Sequence, residues 1–146
     1  MREVKLQTYW PDCDPAGIVY FANLFRFIGL AEEELFLLAN QRRQKMLDAH
    51  ELWMPRVETH AKFIKPIQNG TAIRVRMDVQ FQGEKTVRYE FEVLDDETDV
   101  LLATGFLTAV CVDRETFKAK PIPEEIRRVL QGGTDTSESD SEASNR

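Results

Sequence analysis

Residues 21–48 read FANLFRFIGLAEEELFLLANQRRQKMLD, and this stretch decides the fold. It holds no proline and a single glycine, Gly29. Apolar residues recur in it at the spacing of one helix face, which predicts a long helix over the whole stretch. These residues are Leu24, Phe27, Ile28, Leu30, Ala31, Leu35, Leu37 and Leu38. So broad an apolar face predicts heavy burial. Because glycine costs a helix about 1 kcal/mol relative to alanine, we expect a strand to approach Gly29 closely.

Five segments with the alternating pattern of strands surround this helix. They are residues 3–9, 57–65, 72–81, 85–93 and 100–112, and a short helix from Glu124 to about Leu130 follows. The last strand is apolar on both faces, which indicates a central strand covered on both sides. One helix covers only one face, so we expect a partner subunit to cover the other. The order of elements predicts an α+β domain with a five-stranded antiparallel sheet wrapped around one long helix.

Charge predicts how the third and fourth segments pair. In one register, every charged residue faces an opposite charge; the pairs are Asp78–Arg88, Arg76–Glu90 and Arg74–Glu92. Shifting that register by two residues places the carboxylates of Asp78 and Glu90 opposite each other, which destabilises a strand pair. We therefore predict the first register, with a three-residue loop centred on Gly83. It implies a salt-bridged outer face rather than an arginine site for phosphates.

Length and charge narrow the class of protein. The chain has 146 residues, which is one ordinary domain, and a formal net charge of −6. Without residues 132–146 it carries 18 basic and 21 acidic side chains, so it offers no basic surface for nucleic acid. No apolar run approaches the roughly 20 residues of a membrane span, and the N-terminus lacks the apolar run of a signal peptide. We expect a cytoplasmic protein without a membrane span.

Composition also predicts the domain boundary and the state of the thiols. Cys13 and Cys111 are too few for a disulfide framework and form no zinc pattern, so we expect reduced cysteines and no metal site. The end of the chain is rich in serine, aspartate and glutamate and cannot form a core. We predict one domain over residues 1–131 and a disordered acidic tail over residues 132–146.

The loop before the long helix reads DCDPAGIVYFAN over residues 12–23. Aspartate followed by proline is a good helix cap, so capping is one interpretation of Asp14, and Asp12 could cap equally well. Catalysis is the other interpretation, since the free N–H groups of a helix start can stabilise an oxyanion beside a carboxylate. Cys13 would need a nearby histidine to act as a nucleophile, and we interpret it as a small, partly buried residue.

This segment resembles the active-site segment of the 4-hydroxybenzoyl-CoA thioesterase family. The resemblance lies in Asp14, Gly17 and the aromatic pair Tyr20-Phe21, placed between the first strand and the long helix. It implies a hotdog fold that hydrolyses an acyl-CoA to a free acid and coenzyme A, without a metal or redox cofactor. It implies that Asp14 attacks the thioester or activates a water, and that the N–H of Tyr20 or Phe21 meets the oxyanion. The residues leave both roles of Asp14 open.

The resemblance further implies a homodimer or a dimer of dimers with the active site between subunits. The residues expected to contact the acyl-CoA are Gly17, Ile18, Val19, His60, Lys62 and Lys85. For His60, a structural hydrogen bond on a strand face is the alternative. Many acyl-CoA hydrolases of the family have a histidine where this chain has Phe21, and the 4-hydroxybenzoyl-CoA enzyme has an apolar residue there. The resemblance therefore implies an aromatic, 4-hydroxybenzoyl-like acyl group or a short-chain one, and Phe21 favours the aromatic group. A carboxylate that the family often has is replaced by Gly29.

Other functions fit the same fold. An acyl-ACP thioesterase would differ only in the carrier of the acyl group. An enoyl-CoA hydratase would need a histidine beside the aspartate near the helix start, and Phe21 argues against that pair. A non-catalytic acyl-binding subunit would not need Asp14 and Gly17, both of which are intact. We therefore predict an acyl-CoA thioesterase.

Overall fold

The computed structural model describes residues 2–132, whose elements follow the predicted order. They are β1 (Arg2–Gln7), α1 (Asn23–Leu38), α2 (Arg43–Ala49), β2 (Leu52–Trp53), β3 (Arg56–Phe63), β4 (Ala72–Gln82), β5 (Thr86–Asp95), β6 (Leu101–Val110), β7 (Val112–Asp113) and α3 (Glu124–Leu130). Five antiparallel strands form one sheet in the order β1-β4-β5-β6-β3, and β2 pairs with β7. The predicted α+β hotdog architecture is confirmed. Residues 133–146 of the predicted tail lie outside the described residues.

The long helix ends earlier than predicted, because the chain turns after Leu38. Asn40 adopts a left-handed backbone conformation with φ 58°, which a continuous right-handed helix excludes, and the chain resumes as α2. Leu30, Leu37 and Leu38 were predicted to be buried and are exposed, since the sheet covers only one side of α1. The buried face comprises Leu24, Phe27, Ile28, Ala31, Glu32, Leu35 and Phe36. Within residues 2–132, no helix is long and apolar enough to cross a membrane.

The predicted register of the β4–β5 hairpin is wrong by two residues. Arg76 lies opposite Glu92, and the like charges of Asp78 and Glu90 face each other. The three arginines find carboxylates elsewhere, so the outer face is salt-bridged through other partners. The ion pairs are Arg76–Glu3 at 2.7 Å, Arg74–Asp96 at 3.0 Å and Arg88–Glu90 at 3.1 Å. Cross-strand charge therefore did not decide the register.

Hydrogen bonds from two later segments of the chain fix the hairpin loop instead. The three-residue loop runs from Gly83 to Lys85, and Gly83 is its first residue rather than its centre, with φ 75°. The carbonyl of Glu84 accepts the Ile122 N–H at 2.8 Å, and that of Lys85 accepts the Cys111 N–H at 2.8 Å. These long-range hydrogen bonds hold the observed register, and each is worth more than one exposed charge pair.

The strand β6 lies between β5 and β3, as its apolar pattern predicted. Its outward-facing Phe106 is partly covered by neighbouring strands. The guanidinium carbon of Arg88 lies 3.7 Å from the centre of the Phe106 ring, and the His60 ring stacks on it at 5.5 Å. Coverage of this face by a partner subunit stays a prediction.

A buried carboxylate ties α1 to the rest of the domain. The side chain of Glu32 is almost fully buried and forms ion pairs with Arg43 of α2, at 2.7 Å, and with Arg56 of β3. Burial would raise the pKa of Glu32, but the charges of Arg56 and Arg43 outweigh it and hold the pKa below its usual value. Removing one member of a buried ion pair leaves the others charged in a low-dielectric environment, which is strongly destabilising.

The backbone of β6 passes very close to β3 and β5 at Gly105. A Cβ atom at this position would lie 2.0 Å from the carbonyl oxygen of His60 and 2.6 Å from the Phe91 ring. Gly29, which we expected to face a strand, has nothing within 4 Å of such a Cβ. The close approach therefore belongs to the sheet and not to the helix.

We predict that Glu32→Gln lowers the free energy of unfolding by about 3–5 kcal/mol in urea titrations at neutral pH. The exposed neighbour Glu33 is the control, and Glu33→Gln should stay within about 0.5 kcal/mol of the parent protein. Because the pKa of Glu32 is lowered on folding, its contribution is complete above the ordinary value of 4.5 and is lost as pH falls further. Equal losses in the two variants would contradict this role.

We predict opposite effects of alanine at the two glycines. Gly105→Ala should lower the free energy of unfolding by about 1–3 kcal/mol, because the edge strand must shift to admit the methyl group. Gly29→Ala should raise it by up to about 1 kcal/mol, because the helix gains propensity without a clash. Thermal and urea unfolding of both variants tests the pair. Destabilisation by Gly29→Ala would contradict this prediction and indicate that a neighbouring segment does approach Gly29 closely.

Candidate active site

Asp12 fixes the loop that leads into α1. Its buried carboxylate accepts the Tyr9 N–H at 2.8 Å and pairs with Arg26 of α1 at 3.1 Å. Its main-chain carbonyl accepts the Tyr20 N–H at 3.0 Å and the side-chain amide of Asn23 at 2.8 Å. Of the two acids in the loop, Asp12 is therefore the structural one.

Asp14 keeps its carboxylate largely free. The Asp14 N–H donates to the Ile18 carbonyl at 2.9 Å, and one carboxylate oxygen accepts the Ala16 N–H at 2.8 Å. Gly17 closes this turn with φ 79°, a backbone conformation that suits glycine. Within residues 2–132, the second carboxylate oxygen, Oδ2, has no hydrogen bond, and the side chain is only half-buried. Asp14 can thus offer one oxygen to a substrate or a water.

The start of α1 offers one of the two predicted oxyanion donors. The Tyr20 N–H is already bound to Asp12, so it is not available. The Phe21 N–H has no acceptor within the described part of the chain, and α1 begins two residues later at Asn23. Free N–H groups at a helix start carry partial positive charge. Phe21 is therefore the remaining candidate donor.

A groove of about 430 Å³ lies beside Asp14. It is lined by Asp14, Ile18, Val19, Phe21, Phe63, Ile64, Lys65, Pro66 and Ile67. Four of these residues were predicted from the loop sequence. The five from the end of β3 were not predicted as site residues, and only Pro66 gave a signal, by ending the strand pattern. The groove combines an apolar lining with one carboxylate and one ammonium group.

The other predicted contacts lie outside this groove. His60 sits on the outer face of the sheet against Phe106, and Lys62 is an exposed residue of β3 opposite Thr104. Lys85 belongs to the β4–β5 loop, where the sheet ends on the side away from Asp14. Gly17 shapes the turn below the groove without lining it. One chain therefore brings Asp14, Ile18, Val19 and Phe21 together, but not His60, Lys62 or Lys85.

No alternative nucleophile emerges near Asp14. Burial, with the adjacent charges of Asp12 and Asp14, raises the pKa of the Cys13 thiol and disfavours a thiolate. His50 pairs with Glu125 at 2.9 Å, far along the chain from this loop. Within residues 2–132, no group of three or more histidine, cysteine or acidic residues could hold a metal ion.

The match to a family model decides the class of this site. The model of the thioesterase-like superfamily matches residues 8–130. The chain belongs to this superfamily. The predicted class of enzyme, a thioester hydrolase, is thereby confirmed. The narrower 4-hydroxybenzoyl-CoA thioesterase family stays a prediction.

Relatives and solved structures agree with this family. A 1,4-dihydroxy-2-naphthoyl-CoA hydrolase of Thermosynechococcus vestitus is 25% identical over 126 residues, which are 86% of this chain and 86% of that protein. The corresponding hydrolase of Nostoc punctiforme is 26% identical over 130 residues, 89% of this chain and 84% of that protein. A crystal structure of a 1,4-dihydroxy-2-naphthoyl-CoA thioesterase from Synechocystis superposes with a TM-score of 0.81 at 22% identity, covering 88% and 93% of the two chains.

Proposed function

We propose that this protein is a cytoplasmic acyl-CoA thioesterase that uses Asp14 to hydrolyse an aromatic acyl group from coenzyme A. The observation that carries the proposal is the free Oδ2 of Asp14 at the wall of an apolar groove. The fold and family supply the class of reaction, thioester hydrolysis. The choice of Asp14 over Asp12 rests on their contacts, because every part of Asp12 is engaged in holding the loop.

The chemistry needs one carboxylate and one donor. In one route, Oδ2 of Asp14 attacks the thioester carbon, coenzyme A leaves as the thiolate, and water hydrolyses the resulting anhydride. In the other route, the same oxygen takes a proton from a water that attacks the carbon directly. Both routes place negative charge on the carbonyl oxygen, which the Phe21 N–H at the start of α1 meets. A thioester carbonyl is reactive enough for this small set of groups.

The lining of the groove supports an aromatic acyl group. Phe21 and Phe63 bring two rings to the groove, and Ile18, Ile64 and Pro66 complete apolar walls. Flat rings pack well against such side chains. The relatives named above act on 1,4-dihydroxy-2-naphthoyl-CoA, a bicyclic aromatic thioester. The two alternative acyl groups are a 4-hydroxybenzoyl group, which the resemblance suggests, and a short-chain group.

The rival functions differ in what they need from the site. A hydratase needs a histidine in the groove, and neither His50 nor His60 lines it. An acyl-ACP thioesterase needs the same groove with another carrier, so a panel of acyl-CoA and acyl-ACP substrates distinguishes the two. A non-catalytic acyl-binding subunit would retain ligands without turnover.

The active unit is a homodimer or a dimer of dimers, with each groove completed by a second chain. The strand β3 has only β6 as a neighbour, so its other edge is free to pair within the described chain. Val57, Phe63 and Ile64 are exposed large apolar residues along or just beyond this edge. Lys62 and Lys85, which lie outside their own groove, would then reach the groove of the partner, whereas His60 is stacked on Phe106 of its own chain.

We predict that Asp14→Asn removes at least 99% of acyl-CoA hydrolysis, about the effect of losing a nucleophile or general base. The free energy of unfolding should change by less than about 0.5 kcal/mol, because the amide oxygen still accepts the Ala16 N–H. Asp12→Asn is the contrasting variant, since it weakens the ion pair with Arg26 and should lower stability more than the rate. Release of the thiol, measured with aromatic acyl-CoAs, tests this. A wild-type rate in Asp14→Asn would exclude the mechanism.

We predict subunit complementation if the groove is shared. Lys62→Met with Lys85→Met should raise KM for acyl-CoA, and Asp14→Asn should remove turnover. After the two variants are refolded together, mixed dimers contain one site with all three residues intact, and at substrate concentrations well below KM they should show more activity than either variant alone. Sedimentation should give a dimer or a larger assembly. A fully active monomer, or no gain on mixing, would contradict a shared site.

A further inference from the structure

The chain bends directly after β3, and this bend places Lys65. The strand ends at Phe63, so the alternation of strand side chains does not extend to Ile64 and Lys65. The N–H groups of Ile64 and Lys65 both donate to the carbonyl of Leu102, at 2.9 Å and 3.1 Å. Phe63, Ile64 and Lys65 consequently all line the groove.

Lys65 is also the one uncommitted cation at this groove. It is the only basic residue among the nine that line it. The cations on the nearby β1 and β4 are paired, Lys5 with Asp96 at 3.5 Å and Arg74 with Asp96 at 3.0 Å. Within residues 2–132, the Lys65 ammonium has no ion pair or hydrogen bond. Pro66 follows it directly and restricts its backbone to extended conformations.

From this arrangement we infer that Lys65 is a specificity residue that binds a hydroxyl or phenolate oxygen on the ring of the acyl group. The inference rests on the proposed function and names its substrate class as ring-hydroxylated aromatic acyl thioesters. Burial of a ring in an apolar groove is favourable, but it does not distinguish rings that differ by one oxygen. Lys65 is exposed in the free chain. A ring bound in the groove would cover its ammonium group, which then lacks an acceptor when the ring oxygen is missing.

The position of Lys65 favours the acyl group over the phosphates of coenzyme A. Asp14 must lie at the thioester carbon, and Lys65 lines the same groove. The phosphates are separated from the thioester by the long pantetheine arm of the carrier. A lysine that shares a groove with the reacting carboxylate is therefore placed for the acyl side of the thioester bond.

Binding of free acids tests the inference without turnover. We expect the full-length protein to bind 1-hydroxy-2-naphthoate about 10-fold more tightly than 2-naphthoate, the ratio that one hydrogen bond to a charged group gives. Lys65→Met should bind both acids with equal affinity, and Lys65→Arg should keep part of the preference because it keeps the charge and the donors. Lys45→Met, which changes an exposed lysine of α2, should behave like the parent protein.

Kinetics then separate this inference from the proposed function. With 2-hydroxybenzoyl-CoA and benzoyl-CoA, Lys65→Met should lower the ratio of the two kcat/KM values about 10-fold. An equal rise of both KM values with an unchanged preference for the free acids would assign Lys65 to the coenzyme and overturn the inference. If the parent protein hydrolyses no acyl-CoA but keeps the acid preference, the proposed function fails and the role of Lys65 stands.

Discussion

The buried carboxylate of Glu32 is the constraint on which the rest of the domain depends. It lies on the face of α1 that packs on the sheet, and it joins that helix to α2 through Arg43 and to β3 through Arg56. A carboxylate removed from water is costly unless charged partners surround it, so the three elements can meet only in an arrangement that brings both arginines to it. The start of α1 and the end of β3 form the two walls of the groove. The ion pairs of Glu32 therefore fix the elements that carry both walls.

The two aspartates of the loop differ in how far their oxygens are engaged. Asp12 uses its carboxylate and its carbonyl to hold Tyr9, Tyr20, Asn23 and Arg26, which joins the loop to the first turn of α1. A catalytic group must be held within a fraction of an ångström of its productive position. Asp14 lies two residues later in the loop that Asp12 holds. Within the described residues, only one of its carboxylate oxygens accepts a hydrogen bond. Asp12 thus holds the loop that carries the free oxygen of Asp14, as the proposed role of Asp14 requires.

Much of the fold could be predicted from the sequence, because local periodicity reports burial directly. The alternation in β4 and β5 and the helical spacing from Leu24 to Leu35 each follow from one buried apolar face, whereas β6 is apolar on both faces. The errors have different causes. The helix break at Asn40 is local, since the Asn40 and Gln41 N–H groups donate to the carbonyls of Leu37 and Phe36, but no glycine or proline marks it in the sequence. The register of the β4–β5 hairpin involves contacts with distant parts of the chain, such as the hydrogen bond from the Ile122 N–H to the Glu84 carbonyl. No pattern within a single segment encodes such contacts.

The residues of the candidate site also differ in whether the sequence could predict them. Asp14, Ile18, Val19 and Phe21 lie within eight consecutive residues, so one sequence segment reveals them together. Lys65 lies in the bend that follows β3, where the strand pattern no longer predicts which way a side chain points. Lys62, which was predicted as a contact, lies within β3 and outside the groove of its own chain. The loop side of the groove was therefore found through the resemblance of one continuous segment, whereas the position of Lys65 depends on a bend after β3 that only the three-dimensional arrangement reveals.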